Sequence, residues 1–292
     1  MVMKVGYLGP EGTFCEEASI QYCKKLKKAE LLPYSTIYNL LMAIDKGKIN
    51  EGITPIENSV EGTVGIVTDM LVKDVNLMIK EEIILPVYHN LLAHRGTKLK
   101  DITDIISHPQ AIDQCKDYLR RKLPKAQLHL AYSTADAVRQ VATSLEAGIL
   151  RIKGLRGGRR VLAAIGTKAA AKLYGLKVIA SNINDYADNL TRFVVLAKKD
   201  HTKTKSDKTS IVFSIEKDRP GGLYNILSEF AVRNINLTKI ESRPSKRALG
   251  DYYFFLDMEG HRGDKKVSDA LKEIKRKAAF IKLLGSYPRV KI

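Results

Sequence analysis

Through the first two thirds of the chain, short runs of apolar and β-branched residues alternate with amphipathic stretches of helical period, and polar breaks between them mark the turns. Val2 to Leu8 predicts a strand, and Gly9-Pro10-Glu11-Gly12-Thr13-Phe14 a turn that opens a helix running to about Lys28. Thr36 to Lys46, with Ile37, Leu40, Leu41 and Ile44 on one face, predicts a second helix. Gly52 to Ser59 predicts a strand ending in Glu57, Asn58 and Ser59, followed by Gly62-Thr63-Val64-Gly65 and a helix to about Val72. Leu77 to Ala93 is strand-rich; Ile102 to Ser107 is a strand, and His108-Pro109-Gln110-Ala111 starts a helix carrying Gln114 and Cys115. Strands at Leu128–Tyr132, Val161–Ile165 and Lys177–Ala180 alternate with helices at Thr134–Glu146 and Thr167–Tyr174. This order predicts an α/β domain with mostly parallel sheets, and the strand count favours two lobes with a cleft between them.

Asn189-Leu190-Thr191-Arg192-Phe193 leads into an apolar run, Val194 to Ala197, bounded by acidic residues upstream and Lys198-Lys199-Asp200 downstream, which predicts a buried strand. After a polar linker at 199–208 the pattern changes to strand (Thr209–Ile215), helix (Pro220–Val232), strands (Asn236–Glu241, Tyr252–Asp257), helix (Lys265 to about Lys277) and strand (Phe280–Leu284). That βαββαβ order is the ferredoxin-like α+β arrangement, and its sheet edge invites pairing with a second copy. The expected organisation is a two-lobed domain at 1–198, the linker, and a smaller domain at 209–292.

Composition narrows the picture. At 45% hydrophobic and 28% charged, the 292-residue chain reads as soluble and globular, and no apolar run approaches the roughly 20 residues of a membrane span. Gly6, Gly9 and Pro10 interrupt any signal-peptide pattern, and three scattered cysteines form neither a disulfide framework nor a zinc site; a reducing, cytoplasmic setting is expected. Net charge is +17, with eight basic and no acidic residues between Ala147 and Asn184, but the basic residues are not interleaved with aromatics and no nucleic-acid module is visible.

The candidate chemistry sits at strand ends and helix starts. Thr13, Ser59 and the turn at Ser107, His108 and Gln110 place hydroxyls and N–H groups where open α/β sheets bind anions, although each is also an ordinary helix cap. Gln114 reaches the same helix entrance, or lies solvated. Side chains alternate along a strand, so either Thr191 or Arg192 looks into a cleft, and the other points away.

Taken together these stretches resemble prephenate dehydratase with a C-terminal ACT regulatory domain. The resemblance is carried by Gly9-Pro10-Glu11-Gly12-Thr13-Phe14, Pro55-Ile56-Glu57-Asn58-Ser59, Ser107-His108-Pro109-Gln110, Asn189-Leu190-Thr191-Arg192-Phe193 and Glu241-Ser242-Arg243-Pro244, in the family's order along nearly the whole chain. It implies a catalytic domain similar to type II periplasmic binding proteins, with Thr191 essential and Glu57, Asn58, Ser107 and Gln114 in turnover. Thr13, Ser59, His108, Gln110 and Arg192 are expected to bind substrate. It also implies that Pro220, Gly221, Gly222, Leu223, Asn236, Leu237, Glu241, Ser242, Arg243 and Pro244 serve binding of L-phenylalanine as feedback inhibitor and the subunit interface of a homodimer or homotetramer. No cofactor or metal is expected.

The implied reaction turns prephenate into phenylpyruvate with loss of carbon dioxide and water. A threonine hydroxyl is too weak an acid to work alone, so a proton is expected from water, from Glu57 or from His108. Three departures from the family pattern stand out: Cys15 in place of serine, Gly221-Gly222-Leu223 in place of a glycine-alanine-leucine loop, and a long basic segment, Ser144 to Arg160, with Arg151, Lys153, Arg156, Arg159 and Arg160. Arogenate dehydratase and a non-catalytic ligand sensor are the alternative readings.

Overall fold

The computed structural model describes residues 2–144, 160–215, 220–246 and 250–290. The first lobe is built from β1 (Met3–Leu8), α1 (Phe14–Cys23), β2 (Ala29–Tyr34), α2 (Ile37–Asp45), β3 (Glu51–Asn58), β4 (Gly62–Thr63), α3 (Gly65–Lys73) and β5 (Met78–Pro86). The chain then crosses to a second lobe of β6 (Asn90–Ala93), β7 (Asp104–Ser107), α4 (Pro109–Asp113), α5 (Lys116–Lys122), β8 (Gln127–Leu130), α6 (Thr134–Thr143), β9 (Leu162–Gly166), α7 (Lys168–Leu173) and β10 (Lys177–Ala180). It returns as β11 (Leu190–Ala197), which inserts between β3 and β5 to give the order β2-β1-β3-β11-β5 in the first sheet; the second sheet runs β10-β6-β9-β7-β8. Because β11 enters from the far lobe it runs antiparallel to both neighbours, and β6 is antiparallel to β9 and β10. The sheets are therefore mixed rather than mostly parallel.

Two local expectations also fail for physical reasons. The first helix stops at Cys23, since the lysine-rich stretch behind it offers only Leu26 to the core, and the chain turns into β2 instead. That strand escapes sequence reading because Pro33 interrupts it; as an edge strand paired only with β1, it tolerates a residue without an N–H. The helix expected through Cys115 is broken into α4 and α5, and Gln114 stands at the break.

The remaining residues form a third sheet from β12 (Asp207–Ser214), β13 (Leu237–Pro244), β14 (Tyr252–Glu259) and β15 (Phe280–Pro288), in the order β13-β14-β12-β15, with α8 (Gly222–Ala231) and α9 (Lys265–Lys277) on one face. Ile211, Phe213 and Leu256 point to the helices, where Ile226, Phe230 and Ile274 meet them. The alternate residues Val212, Phe255 and Leu284 point the other way and share a core with Leu71, Val75 and Ile79 of the first lobe. Each such side chain contributes on the order of 1.5–3 kcal/mol by leaving water, so the third sheet is a packed layer of the molecule rather than a tethered module. Gly285 in β15, at φ +138°, lies so close to β5 that an added Cβ would overlap the backbone of Ile79.

Candidate active site

The two crossings between lobes, 87–89 and 181–189, lie side by side and are stitched together. Val87 N–H donates to Asn189 O (2.7 Å), Ile183 N–H to His89 O (2.9 Å), and the Asn184 side chain bridges His89 N and Val87 O. Above this hinge a cavity of about 260 Å³ opens between the lobes. Thr13, Phe14, Asn58, Thr191 and Phe193 wall it from the first lobe, and His108, Gln110, Gln114, Ser133 and Thr134 from the second, with His89 at the hinge between them.

A chain of side-chain amides runs along its base, and each member orients the next. Asn58 Oδ1 accepts from the N–H groups of Val60 (2.9 Å) and Glu61 (3.0 Å), which leaves its Nδ2 to donate to Asn189 Oδ1 (2.8 Å) and Thr191 Oγ1 (2.9 Å). Asn189 Nδ2 must then donate to Gln114 Oε1 (2.8 Å), and Gln114 Nε2 to Glu61 Oε1 (3.0 Å). Thr191 Oγ1 is thereby an acceptor from Asn58, while its own proton has no acceptor among the described residues. A hydroxyl held in this way on the cavity wall presents a donor to whatever occupies the space.

The other expected site residues divide. Gln110 and Thr13 line the cavity, the Thr13 hydroxyl capping α1 and donating to Pro10 O (3.0 Å). His108 caps α4, its Nδ1 accepting from Gln110 N–H; burial lowers its pKa against the raising pull of Glu61. Ser107 is fully buried below the cavity, donating to Ile165 O (2.8 Å), and so supports the second sheet instead of touching a ligand. Ser59 ties β3 to β11 through Asp188 O and Leu190 N, also outside the cavity.

Glu57 and Arg192 face away altogether, because each is one residue out of phase with a cavity residue on its strand. Arg192 is buried against the third sheet. Its Nε donates to Glu82 (2.8 Å), Nη1 to Asp257 (2.8 Å) and Glu57 (3.4 Å), and Nη2 to Tyr287 Oη (2.7 Å). Burial alone would raise the Asp257 pKa, but Arg192, Ser210, Lys208 and Lys239 hold it below the ordinary carboxylate value. Glu57 also pairs with Lys239 (3.1 Å). Neither residue is placed to touch substrate, and Glu57 is removed from the possible proton sources.

On the third sheet, Gly221 (φ +80°) caps α8, Gly222 begins it and Leu223 packs against the core, while Pro220 is exposed. Asn236 donates to Glu259 (3.1 Å) just before Leu237 opens β13. Along β13, Glu241 and Arg243 turn toward the first lobe, meeting Thr63 and Asp69, whereas Ser242 and Pro244 face outward. Of the basic segment, Arg160 pairs with buried Asp104 (3.1 Å); Arg151, Lys153, Arg156 and Arg159 lie outside the described residues.

Sequence reading passed over His89, Ser133 and the role of Asn189 as the centre of the amide chain. His89 sits between Tyr88 and Asn90, and nothing in that local pattern sets it apart. Among the described residues, no Lys or Arg lines the cavity and no cluster suited to a metal is present.

The family described as prephenate dehydratase matches residues 5–201, and the one described as ACT domain matches 209–276. A prephenate dehydratase of Methanocaldococcus jannaschii is 39% identical over 285 residues, 97% of each chain. A bifunctional chorismate mutase/prephenate dehydratase of Aquifex aeolicus is 39% identical over 287 residues, 98% of this chain and 74% of that one. The crystal structure of a prephenate dehydratase from Arthrobacter aurescens in complex with L-Phe superposes with a TM-score of 0.85 at 33% identity, over 98% of this chain and 90% of that one.

Proposed function

We propose, for a chain that belongs to the prephenate dehydratase family and carries an ACT domain behind its catalytic one, that the cavity between the lobes is where prephenate loses carbon dioxide and water. The observation that carries the assignment of roles is the Thr191 hydroxyl, oriented by Asn58 and left with a proton to donate. Loss of the ring carboxylate makes the ring aromatic, and the difficult event is departure of hydroxide. Thr191 donates to that oxygen as charge develops on it, and the amide chain holds the donor in place before reaction begins. The substrate's two carboxylates are held by first-turn N–H groups of α1 behind Thr13 and of α6 behind Ser133, where helix ends favour anions.

Regulation uses the same strand. L-Phenylalanine bound at the ACT domain acts on β11, whose Thr191 faces the cavity while the adjacent Arg192 is clamped by Asp257 and Tyr287 of the third sheet. A shift of that sheet moves the catalytic hydroxyl through one peptide unit, and the effector inhibits by binding the low-activity arrangement more tightly.

Purified protein is incubated with prephenate, with and without phenylalanine, and phenylpyruvate is followed by absorbance. Formation of product, suppressed by phenylalanine, is expected; sedimentation of the same sample is expected to give a homodimer or homotetramer. Product without suppression would sink the effector assignment alone. No product from prephenate, with turnover of arogenate, would move the substrate to the amino analogue.

A further inference from the structure

Gln114 stands at the break between α4 and α5 in the second lobe, yet both ends of its amide are engaged outside that lobe. Its Oε1 accepts from Asn189 in the crossing (2.8 Å), and its Nε2 donates to Glu61 Oε1 of the first lobe (3.0 Å). Among the described residues, one other hydrogen bond joins the lobes directly: the Thr167 hydroxyl, capping α7, donates to Gly12 O (2.7 Å). Gly12 fits so tightly there that an added Cβ would overlap Ala170. The two bonds differ in setting. Thr167 is buried, whereas Glu61 is solvent-exposed on the turn between β3 and β4.

We propose that Glu61 is a positioning residue: a latch on the first lobe that holds Gln114, and with it the second wall of the cavity, at the separation the substrate needs. The inference rests on prephenate dehydration being the reaction of this cavity. An exposed carboxylate loses little when its partner withdraws, because water takes the place of Gln114 Nε2. The bond therefore breaks and re-forms readily as substrate enters and product leaves.

The hydrogen bonds at the base of the cavity form a circuit that begins and ends on Glu61. Its N–H donates to Asn58 Oδ1, Asn58 Nδ2 to Asn189 Oδ1, Asn189 Nδ2 to Gln114 Oε1, and Gln114 Nε2 back to the Glu61 carboxylate. Every donor points the same way round, so each bond polarises the next, and the carboxylate is the strongest acceptor among them. The direction is already fixed at Asn58, whose oxygen also accepts from Val60 N–H. Loss of the carboxylate thus leaves the Asn58 amide and the Thr191 hydroxyl it orients in place. What goes is the link from the first lobe to Gln114, and the expected signature is weaker binding with the chemistry largely intact.

Charge alone predicts the opposite. A carboxylate one hydrogen bond from a cavity wall that carries no lysine or arginine repels a substrate with two carboxylates, so its removal would tighten binding. Two variants separate the effects. Glu61→Gln removes the charge and keeps an oxygen for Gln114 Nε2, whereas Glu61→Ala removes both.

The test combines steady-state kinetics with the distance between the lobes. Glu61→Ala is expected to raise KM for prephenate about tenfold and to lower kcat by no more than about threefold, while Glu61→Gln keeps KM within about twofold of wild type or below it. A KM unchanged or lowered in Glu61→Ala, or raised equally in Glu61→Gln, would overturn the proposal. The second readout needs no turnover. Spin labels at Tyr38→Cys and Leu128→Cys, exposed positions on α2 and β8, report the separation by pulsed electron resonance; Cys23→Ser leaves only the buried Cys15 and Cys115 besides them. Glu61→Ala is expected to lengthen and broaden that distance, and to add nothing in Gln114→Ala, which has already lost the bond. The same distribution in wild type and Glu61→Ala, or further lengthening in Gln114→Ala, would overturn the latch. Absence of wild-type turnover would instead remove the reaction on which the inference stands, and the distances alone would then decide whether Glu61 ties the lobes.

Discussion

The Thr191 hydroxyl owes its orientation to the residues that hold it, because a free threonine would satisfy its hydroxyl on its own backbone or on water. Here Asn58 donates to Thr191 Oγ1, and the Asn58 amide is itself locked by two backbone N–H groups, so the direction of the threonine proton is set three bonds away from it. Thr191→Ala is therefore expected to lower kcat by about 10²-fold or more, with KM changed only a few-fold, while Thr191→Ser keeps most of the activity. Steady-state kinetics distinguishes the two; a rise in KM alone would mean that the hydroxyl only binds. The motif at a strand start singled out Thr191, and its hydroxyl stands on the cavity wall. His89 belongs to no motif, since what brings it to the cavity is a contact with Gln114 that only folding closes.

Strand β11 is the element on which the catalytic and regulatory parts meet. Alternation along it predicts that Thr191 and Arg192 face opposite ways, and the structure supplies what the second side touches: Glu82, Asp257 and Tyr287. Asp257→Asn weakens that clamp without reaching the cavity, so turnover should persist while the phenylalanine concentration for half inhibition rises about tenfold. Unchanged inhibition would place the coupling elsewhere. The contact of β15 with β5 is equally specific. Gly285→Ala combines a left-handed φ with a clash against Ile79 backbone and should cost about 2 kcal/mol or more, read as a lower melting temperature. An unshifted melt would mean that β5 and β15 can separate freely.

At the scale of the whole molecule, the lobe, the returning strand and the third sheet share one core, and a buried charge cluster crosses the boundary. In the unfolded chain Asp257 takes up its proton near pH 4; in the folded one it does so lower. Its contribution is thus complete at neutral pH and is lost as pH falls below about 4 toward the folded value. Melting temperature measured against pH should show the wild type falling toward Asp257→Asn in acid, and a gap independent of pH would contradict the pairing. The alternation of strands and helices, the change of pattern near residue 208 and the motif positions were all determined by the sequence, because periodicity and turn chemistry are local. Pairing order, the antiparallel insertion of β11, the edge strand β2 and the outward turn of Glu57 and Arg192 were decided only by tertiary structure. Each depends on which distant surface a side chain meets, and separations such as that between Asn58 and Thr191 are closed by folding alone.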